Sequence, residues 1–227
     1  MNTAIIVAAG SGKRFECSTP KQFLELLGKP VIFHTLERFA CAPSVDNMVV
    51  VLAAEWLDWF KLTLREYSIN KPIRTVEGGK TRAESVRNGF RVIASNTEFV
   101  AIHDAARPLV SVQEIERTVE GARETGAACL TTPVTDTIKE VKGKRITGTL
   151  DRTSLRRAVT PQIFRYEILS KALSDLKLDE SVTDECYLVE IIGGEIAFVE
   201  GTTRNVKITL PDDLIIAEAL LRAEGVH

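Results

Sequence analysis

Short apolar runs alternate along the chain with longer segments whose apolar residues recur at helical spacing. The runs of strand length lie at 4–8, 48–52, 73–77, 99–103 and 127–132. The segments of helical period lie at 31–41, 56–67, 81–94 and 112–124. Continuous apolar strands separated by helices are typical of a parallel sheet that is covered on both faces. The pattern predicts an α/β fold with a Rossmann-like, doubly wound, mostly parallel sheet.

The pattern changes after Pro133. Two short strands, at 137–141 and 145–150, flank the turn sequence Lys142-Gly143-Lys144 and predict an antiparallel hairpin. This hairpin contains too few apolar residues for a core of its own, so it is expected to pack on something else. Both a plain surface hairpin and an arm that reaches a second subunit fit the sequence.

Helical and strand patterns resume beyond the hairpin. Helices are predicted at 166–176, 184–192 and 211–223, and short strands at 196–199 and 206–208. Thr183 is the expected N-cap of the second of these helices, and Pro30 is expected at the first position of helix 31–41. No linker or repeat divides the chain, which predicts one domain over 1–227 with an arm at about 136–155.

Composition excludes several classes of protein. The 227 residues are 44% hydrophobic and 26% charged, enough to bury a core without disulfides or a structural metal. A net charge of −2 lacks the basic excess of a nucleic-acid-binding protein. No apolar run reaches 18 residues and no signal peptide is recognisable, so a cytoplasmic protein without a membrane span is expected. The four cysteines form no C-x-x-C pair, so a zinc site is not expected.

The first predicted strand leads into a loop that is suited to phosphate groups. Its sequence is Ala8-Ala9-Gly10-Ser11-Gly12-Lys13-Arg14, at the carboxyl end of a strand, where open α/β sheets bind ligands. Glycines allow backbone N–H groups to approach phosphates, and the two cations supply charge. Phe15 replaces the third glycine that a dinucleotide fingerprint requires. The loop favours a nucleotide site, with a structural turn as the alternative.

Two more segments with candidate chemistry follow later strands. Gly78-Gly79-Lys80-Thr81 ends like a P-loop, but Arg74 replaces the first glycine of that motif, which excludes a P-loop ATPase. The glycines still allow close approach to a flat ligand, with Ser85 one helical turn on. Asp104 ends the fourth strand, where a carboxylate is suited to Mg²⁺; pairing with Arg107 in a turn is the alternative.

Ten ordered motifs, spread over nearly the whole chain, closely resemble those of one family, the 2-C-methyl-D-erythritol 4-phosphate cytidylyltransferases of the non-mevalonate isoprenoid pathway. The motifs are Ala8-Ala9-Gly10-x-Gly12-x-Arg14, Pro20-Lys21-Gln22-Phe23, Gly28-Lys29-Pro30, Gly78-Gly79-x-x-Arg82-x-x-Ser85-Val86, His103-Asp104-Ala105-Ala106-Arg107-Pro108, Asp136-Thr137, Asp151-Arg152, Thr160-Pro161-Gln162, Thr183-Asp184-Glu185 and Val206-Lys207-Ile208-Thr209. The resemblance implies that CTP and methylerythritol phosphate give CDP-methylerythritol and pyrophosphate, with Mg²⁺, by in-line attack on the α-phosphate.

The resemblance also implies a role for individual residues. The catalytic cations are Arg14, Lys21 and Lys207. The nucleotide-binding residues are Ala8, Ala9, Gly10, Gly12, Gly79, Lys80 and Ser85. The acceptor-binding residues are Asp104, Arg107, Thr137, Arg152, Thr160 and Thr183, of which Asp104 is also the expected metal ligand. Thr137 and Arg152 are expected to come from the arm of a neighbouring subunit, which implies a homodimer with arm exchange.

The nearest alternative is a cytidylyltransferase that acts on ribitol 5-phosphate. Those enzymes resemble this chain in most motifs, but they tend to have A-G-G in the first loop and a bulkier residue before the arginine of the H-D-A-x-R-P segment. Ala8-Ala9-Gly10 and Ala106 favour methylerythritol phosphate. A non-catalytic nucleotide sensor on the same fold would be expected to lose Arg14, Lys21 or Lys207, and all three are present.

Overall fold

The structure is a computed structural model, and it describes residues 1–10, 19–175 and 182–226. The strands are β1 (Asn2–Ala8), β2 (Glu25–Leu26), β3 (Lys29–Pro30), β4 (Asn47–Leu52), β5 (Ile73–Glu77), β6 (Phe99–Asp104), β7 (Ala127–Pro133), β8 (Lys139–Lys142), β9 (Arg145–Thr149), β10 (Arg156–Arg165) and β11 (Ala197–Glu200). The helices are α1 (Val31–Cys41), α2 (Leu57–Thr63), α3 (Arg82–Phe90), α4 (Val112–Thr125), α5 (Tyr166–Asp175), α6 (Glu185–Ile191) and α7 (Pro211–Ala223). Within the described ranges, no helix is long and apolar enough to cross a membrane.

Seven strands form the central sheet in the order β11-β7-β10-β6-β1-β4-β5. β1 pairs in parallel with both β4 and β6, and the pairs β4–β5 and β11–β7 are also parallel. Between β6 and β7, β10 runs antiparallel to its two neighbours. The predicted Rossmann-like α/β fold with a mostly parallel sheet is thereby confirmed.

Helices cover both faces of the sheet, which explains why its strands are continuously apolar. Successive side chains of a strand point to opposite faces. Ile6 accordingly packs in the same buried cluster as Phe39 of α1, whereas Ile5 packs with Val86 of α3 and Leu188 of α6. The two clusters hold the carboxyl ends of β1 and β6 in fixed positions at one edge of the sheet.

Short capping motifs in the sequence set where α3 and α4 begin and where α4 ends. Capping boxes begin α3 at Thr81 and Glu84 and α4 at Ser111 and Glu114, so orphan N–H groups at both helix starts are satisfied. α4 ends at Gly126, whose φ of +86° is the left-handed conformation that favours glycine. The start of α3 is thus held immediately after the Gly78–Thr81 loop.

The predicted hairpin is present as the separate two-stranded ribbon β8–β9. Lys142 pairs with Arg145 around Gly143, whose φ is +59°. Val141 and Ile146 remain 64% and 66% exposed, so its largest apolar side chains are not covered by the described part of the chain. A hairpin with this surface is unusual for an isolated subunit, since it leaves apolar area in water.

Two predicted helix starts are wrong by one residue. Asp184, not Thr183, is the N-cap of α6, because its side chain accepts a hydrogen bond from the Tyr187 N–H at 3.0 Å. Gln162 fixes that side chain by donating to its other oxygen at 2.9 Å. Pro30 precedes α1 as its cap residue and does not occupy the first helical position.

In four other segments the observed secondary structure differs from the one that the apolar pattern predicts. The strand predicted at 206–208 is wrong: this segment joins no sheet of the described chain, although the Ile208 N–H donates to the Ala106 carbonyl at 2.8 Å. Strand β10 was not predicted, because two arginines and Pro161 interrupt its apolar pattern. The segment 56–67 holds the shorter helix α2 between two 3₁₀ turns, and the helix predicted at 81–94 ends at Phe90.

Candidate active site

A cleft of about 480 Å³ opens at the carboxyl ends of the central parallel strands. It is bounded by the end of β1, the loop before α3, the end of β6 and the segment before α7. The lining residues are Val7, Ala8, Ala9, Gly10, Lys21, Gln22, Gly79, Lys80, Thr81, Arg82, Ser85, Asp104, Ala106, Lys207 and Thr209. The structure therefore brings together nine of the residues predicted for the site: Ala8, Ala9, Gly10, Lys21, Gly79, Lys80, Ser85, Asp104 and Lys207.

Buried Gln22 holds the first loop at its described end. Its amide nitrogen donates to the carbonyl of Ala8 at 2.7 Å and to that of Gly10 at 3.0 Å. Gln22 is the neighbour of Lys21, so the same short 3₁₀ turn that braces the loop carries a predicted catalytic cation to the cleft. Gly12 and Arg14 lie outside the described residues.

The second glycine loop packs against the first at distances that exclude side chains. A Cβ on Gly78 would lie 2.4 Å from the Cβ of Ala9, and a Cβ on Gly79 would lie 2.4 Å from the Cβ of Glu84. The two glycines therefore permit close packing of loop on loop and of loop on α3, in addition to any approach by a ligand.

The backbone amides of this loop are already used within the protein. Ser85 accepts a hydrogen bond from the Gly79 N–H at 3.0 Å and donates to the Thr81 carbonyl at 2.9 Å. Glu84 accepts from the N–H groups of Lys80 and Thr81 at 2.8 and 3.3 Å. Ser85 is thus a brace of the loop, and a ligand that bound these amides would have to replace an existing hydrogen bond.

Asp104 lies at the end of β6 between three cations. Its Oδ1 lies 3.2 Å from Nε of Arg82, and its Oδ2 lies 2.7 Å from Nζ of Lys207 and 3.5 Å from Nε of Arg107. Burial opposes its ionisation, but Arg82, Lys207 and Arg107 together hold the pKa of this carboxyl well below its usual range. Asp104 is therefore a carboxylate at neutral pH.

Arg82 was not predicted to have a role, and it is the hub of this cluster. Its Nη1 donates to both carboxylate oxygens of the fully buried Glu185, at 2.7 and 2.8 Å. Burial disfavours the charge of Arg82, but Glu185 and Asp104 raise its pKa above the usual value. In the sequence, Arg82 belongs to the motif at Gly78–Ser85, but this motif does not reveal that its partners are Asp104 and Glu185.

A chain of hydrogen bonds behind Asp104 fixes its backbone. The Asp104 N–H donates to the hydroxyl oxygen of Thr160 at 3.2 Å, and that hydroxyl lies 3.1 Å from Nδ1 of His103. Nε2 of His103 lies 3.2 Å from the carbonyl of Arg107. Because a carbonyl only accepts, Nε2 carries the proton and Nδ1 accepts from Thr160. Burial lowers the pKa of His103 to about 3, so this histidine is neutral and structural.

The predicted acceptor-binding residues are spread more widely. Arg107 is next to Asp104, and its Nη1 donates to the carbonyl of Asn205 at 2.9 Å. Thr160 is buried behind Asp104, and Thr183 is exposed just before α6. Thr137 and Arg152 lie on the hairpin arm and do not line the cleft of their own chain.

The donor set of the cleft does not amount to a metal site held by protein alone. Among the described residues, no group of three or more His, Cys, Asp or Glu side chains is placed to hold an ion. Asp104 is the single carboxylate that lines the described part of the cleft, and both of its oxygens face cations. Such a site fits Mg²⁺ only as an ion whose remaining ligands are substrate phosphates and water.

Comparisons with known proteins point to one family. The sequence model of the family described as 2-C-methyl-D-erythritol 4-phosphate cytidylyltransferase matches residues 2–223. A protein of that name from Bacillus licheniformis is 42% identical over 226 residues, which cover 99% of this chain and 97% of the relative.

Solved structures give the same result. The structure of 2-C-methyl-D-erythritol 4-phosphate cytidylyltransferase from Francisella tularensis superposes with a TM-score of 0.81 at 33% identity, covering 96% of this chain and 98% of that one. The 4-diphosphocytidyl-2C-methyl-D-erythritol synthase from Anaerococcus prevotii superposes with a TM-score of 0.83 at 28% identity, covering 97% and 98%.

Proposed function

Because the chain belongs to the 2-C-methyl-D-erythritol 4-phosphate cytidylyltransferase family, we propose that the cleft at the carboxyl ends of β1 and β6 is its active site. The protein is a nucleotidyltransferase that joins CTP to 2-C-methyl-D-erythritol 4-phosphate, giving CDP-methylerythritol and pyrophosphate. The observation that carries the placement is the ion pair of Asp104 with Lys207, in a cleft that Gly10 and Gly79 also line.

The charge of the cleft matches a triphosphate. Four cations line its described part, namely Lys21, Lys80, Arg82 and Lys207, against the single carboxylate of Asp104. We assign the phosphates of CTP to Lys21 and Lys207, together with Arg14, which the family motif supplies. The positive charges of these side chains stabilise the negative charge that develops on the α-phosphate and on the leaving pyrophosphate.

Cytosine is assigned to the space between the two glycine loops, near Ala8, Ala9 and Gly79. Its 4-amino group is a donor, and the N–H groups of Gly79 and Lys80 are already bonded within the loop. Backbone carbonyl groups of this loop are therefore the better match for the base. Gly10 is assigned to a phosphate, since no atom of the described residues lies within 4 Å of its Cβ position.

The chemical step needs positioning more than proton transfer. The attacking atom is an oxygen of the acceptor's phosphate, which is largely a dianion at neutral pH and needs no general base. Asp104 is ionised and is assigned to a hydroxyl of the acceptor, with Arg107 beside it. His103 is fully buried and bonded to Thr160 and Arg107, so it supports Asp104 and takes no proton from substrate.

Mg²⁺ is proposed to enter with CTP. Bound there, it would neutralise phosphate charge and favour departure of pyrophosphate. Asp104 is the residue of the described cleft that would contribute a ligand. For Oδ2 to do so, Lys207 must move from Asp104 toward a phosphate, which is the direction in which its charge is drawn once a triphosphate is bound.

The arm is proposed to complete the acceptor site of a second subunit. Arg152 and Thr137 lie on the arm and do not line their own cleft, and Val141 and Ile146 present apolar surface that the described part of the chain does not cover. Burial of those side chains in a homodimer would place Arg152 at the acceptor phosphate of the partner.

The free thiols of Cys41, Cys129 and Cys186 fit a reducing compartment, and we propose that the enzyme acts in the cytoplasm.

A panel of nucleotides tests the assignment. Pyrophosphate release is measured with methylerythritol phosphate held constant and CTP, UTP or ATP varied. CTP is expected to be the preferred nucleotide by at least about a hundredfold in kcat/KM, because the loops offer fixed polar groups to the base. Equal turnover of the three nucleotides would contradict cytosine recognition between these loops.

A further inference from the structure

Glu185 is a buried acid that none of the reaction steps above uses. It begins α6, it is fully buried, and both of its carboxylate oxygens bond to Nη1 of Arg82. The Nε of the same guanidinium donates to Oδ1 of Asp104 at 3.2 Å. One arginine therefore connects the start of α6 with the carboxylate at the end of β6.

The position of Glu185 is fixed independently of this ion pair. The side-chain oxygen of Gln162 accepts hydrogen bonds from the N–H groups of Glu185 at 3.1 Å and Cys186 at 3.2 Å. The nitrogen of the same amide donates to Asp184 at 2.9 Å. The central strand β10 thus anchors the start of α6, so the Glu185 carboxylate is a rigid reference point for Arg82.

The charges show what this support accomplishes. Arg82, Arg107 and Lys207 face Asp104, and Glu185 takes one end of the Arg82 fork. Without Glu185, Arg82 would be free to turn both ends of its guanidinium onto Asp104, as arginine forks commonly do with carboxylates. Arg82 would then compete with Lys207 for Oδ2 of Asp104, and this oxygen would no longer become available to an acceptor hydroxyl or a metal ion when Lys207 moves to a phosphate.

We propose that Glu185 is a positioning residue for cytidylyl transfer: it holds Nη1 of Arg82, so that Arg82 covers only Oδ1 of Asp104 and leaves Oδ2 to Lys207 and the substrates. The role rests on the proposed function of the cleft. Glu185 contacts no substrate in this arrangement, and its whole effect passes through Arg82.

The first test is Glu185→Gln, which keeps the shape of the side chain and removes its charge. We expect kcat to fall by at least about thirtyfold and the KM for CTP to change by less than about threefold, because Glu185 acts on Asp104 through Arg82, which is not one of the cations assigned to the triphosphate. Circular dichroism and the melting temperature establish that the variant is folded under assay conditions.

Glu114→Gln is the matched control. Glu114 is also a buried glutamate at the start of a helix, where it accepts from Thr202 and Ser111, but it does not line the cleft. It is expected to lower the melting temperature while keeping kcat within about twofold of the wild type. A merely structural role for Glu185 predicts the same behaviour for both variants.

A double-variant cycle tests the path through Arg82. Arg82→Met is expected to lower kcat, and Glu185→Gln in the Arg82→Met background is expected to change kcat by less than about threefold further. If the two substitutions lower kcat by factors that multiply, the proposal is overturned. A folded Glu185→Gln variant with wild-type kcat would overturn it as well.

Should Glu185→Gln not fold, Glu185→Asp keeps the charge on a shorter stem and is expected to lose kcat at unchanged KM for CTP. Wild-type kcat in this variant would overturn the proposal too.

The proposed activity of the cleft and the positioning role of Glu185 can be contradicted separately. A wild-type protein that binds CTP by calorimetry but releases no pyrophosphate with methylerythritol phosphate would contradict the proposed function. An active wild type whose Glu185 variants match the Glu114 control would contradict the positioning role alone.

Discussion

The ammonium of Lys207 lies 2.7 Å from Oδ2 of Asp104, although 103 positions separate the two residues in the chain. The pair joins the end of β6 to the segment before α7, and both residues line the cleft. Because Lys207 is also a candidate ligand of the triphosphate, its ammonium has two competing partners. Binding of CTP is therefore expected to loosen this pair and to free one oxygen of Asp104.

Lys207→Met should remove the charge and keep the apolar stem of the side chain. We expect kcat to fall by about a hundredfold to a thousandfold, as is typical when one preorganised group at a transition-state charge is lost. Pyrophosphate release at saturating substrates measures the effect. Lys61→Met is the control, because Lys61 is exposed on α2 and pairs only weakly with Asp58, at 3.7 Å; a similar loss in both variants would contradict the role of Lys207.

Lys21→Ala and Arg14→Ala should each abolish turnover while the fold stays intact. Both residues are assigned to the triphosphate, and Lys21 lines the cleft in the structure. Turnover is compared with the far-ultraviolet circular dichroism spectrum and the melting temperature of each variant. Near-normal kcat in both variants would be incompatible with phosphoryl-group binding by this pair.

Gly78→Ala should weaken CTP binding. The added methyl group would lie 2.4 Å from the Cβ of Ala9 and 3.0 Å from Oγ of Ser85, so the two glycine loops must move apart. We expect a rise in the dissociation constant of CTP of at least about tenfold, since displacement by less than an ångström disturbs several contacts of the base at once. Calorimetric titration with CTP gives the value, and an unchanged dissociation constant would show that the base is not held between these loops.

Acid should destabilise the protein through His103. Burial lowers the pKa of His103 to about 3 from an ordinary value of 6.5. The unfolded chain therefore binds a proton at a higher pH than the folded chain, and this contribution to stability is complete above pH 6.5 and is lost as the pH falls toward 3. At pH 5 the loss amounts to about 2 kcal/mol relative to pH 7.

His103→Gln isolates this effect, because glutamine keeps a donor for the Arg107 carbonyl but does not titrate. Urea unfolding at pH 7 and pH 5 gives the free energies of both proteins. The variant is expected to lose less stability than the wild type over that interval. Equal losses would mean that another group controls the acid response.

Arm exchange can be tested by mixing two inactive proteins. Arg14→Ala damages the nucleotide site of its own chain, and Arg152→Ala damages the arm that is proposed to reach the partner's site. Heterodimers should contain one intact site, so activity should return to as much as about a quarter of the wild-type value after random subunit exchange. Native mass spectrometry verifies that the subunits have exchanged. If activity then fails to recover, a shared acceptor site is contradicted.

The strands that build the cleft could be predicted from the sequence, because β1, β4 and β6 are buried on both faces and read as unbroken apolar runs. Strand β10 could not, since Arg156, Arg157 and Pro161 stand among its apolar residues. The first two precede the part of β10 that is buried, so their charge is solvated and costs the strand nothing in packing.

The members of the site were easier to predict than their partners. Asp104 is conspicuous at the end of an apolar strand, and Lys21 and Lys207 belong to motifs that resemble a family. The bond between Arg82 and Glu185 joins residues 103 positions apart, and no local pattern shows it. The predicted contact of Ser85 with the nucleotide stays a prediction; in the structure Ser85 lines the cleft, and its hydroxyl also braces the Gly79–Thr81 loop, which no local pattern shows.

Pyrophosphate release from CTP, measured with methylerythritol phosphate and with ribitol 5-phosphate as alternative acceptors, tests the central assignment most directly. We predict rapid, acceptor-dependent release with methylerythritol phosphate, formation of CDP-methylerythritol, and at least about a hundredfold lower kcat/KM with ribitol 5-phosphate. A preference for ribitol 5-phosphate, or no release with either acceptor, would contradict it.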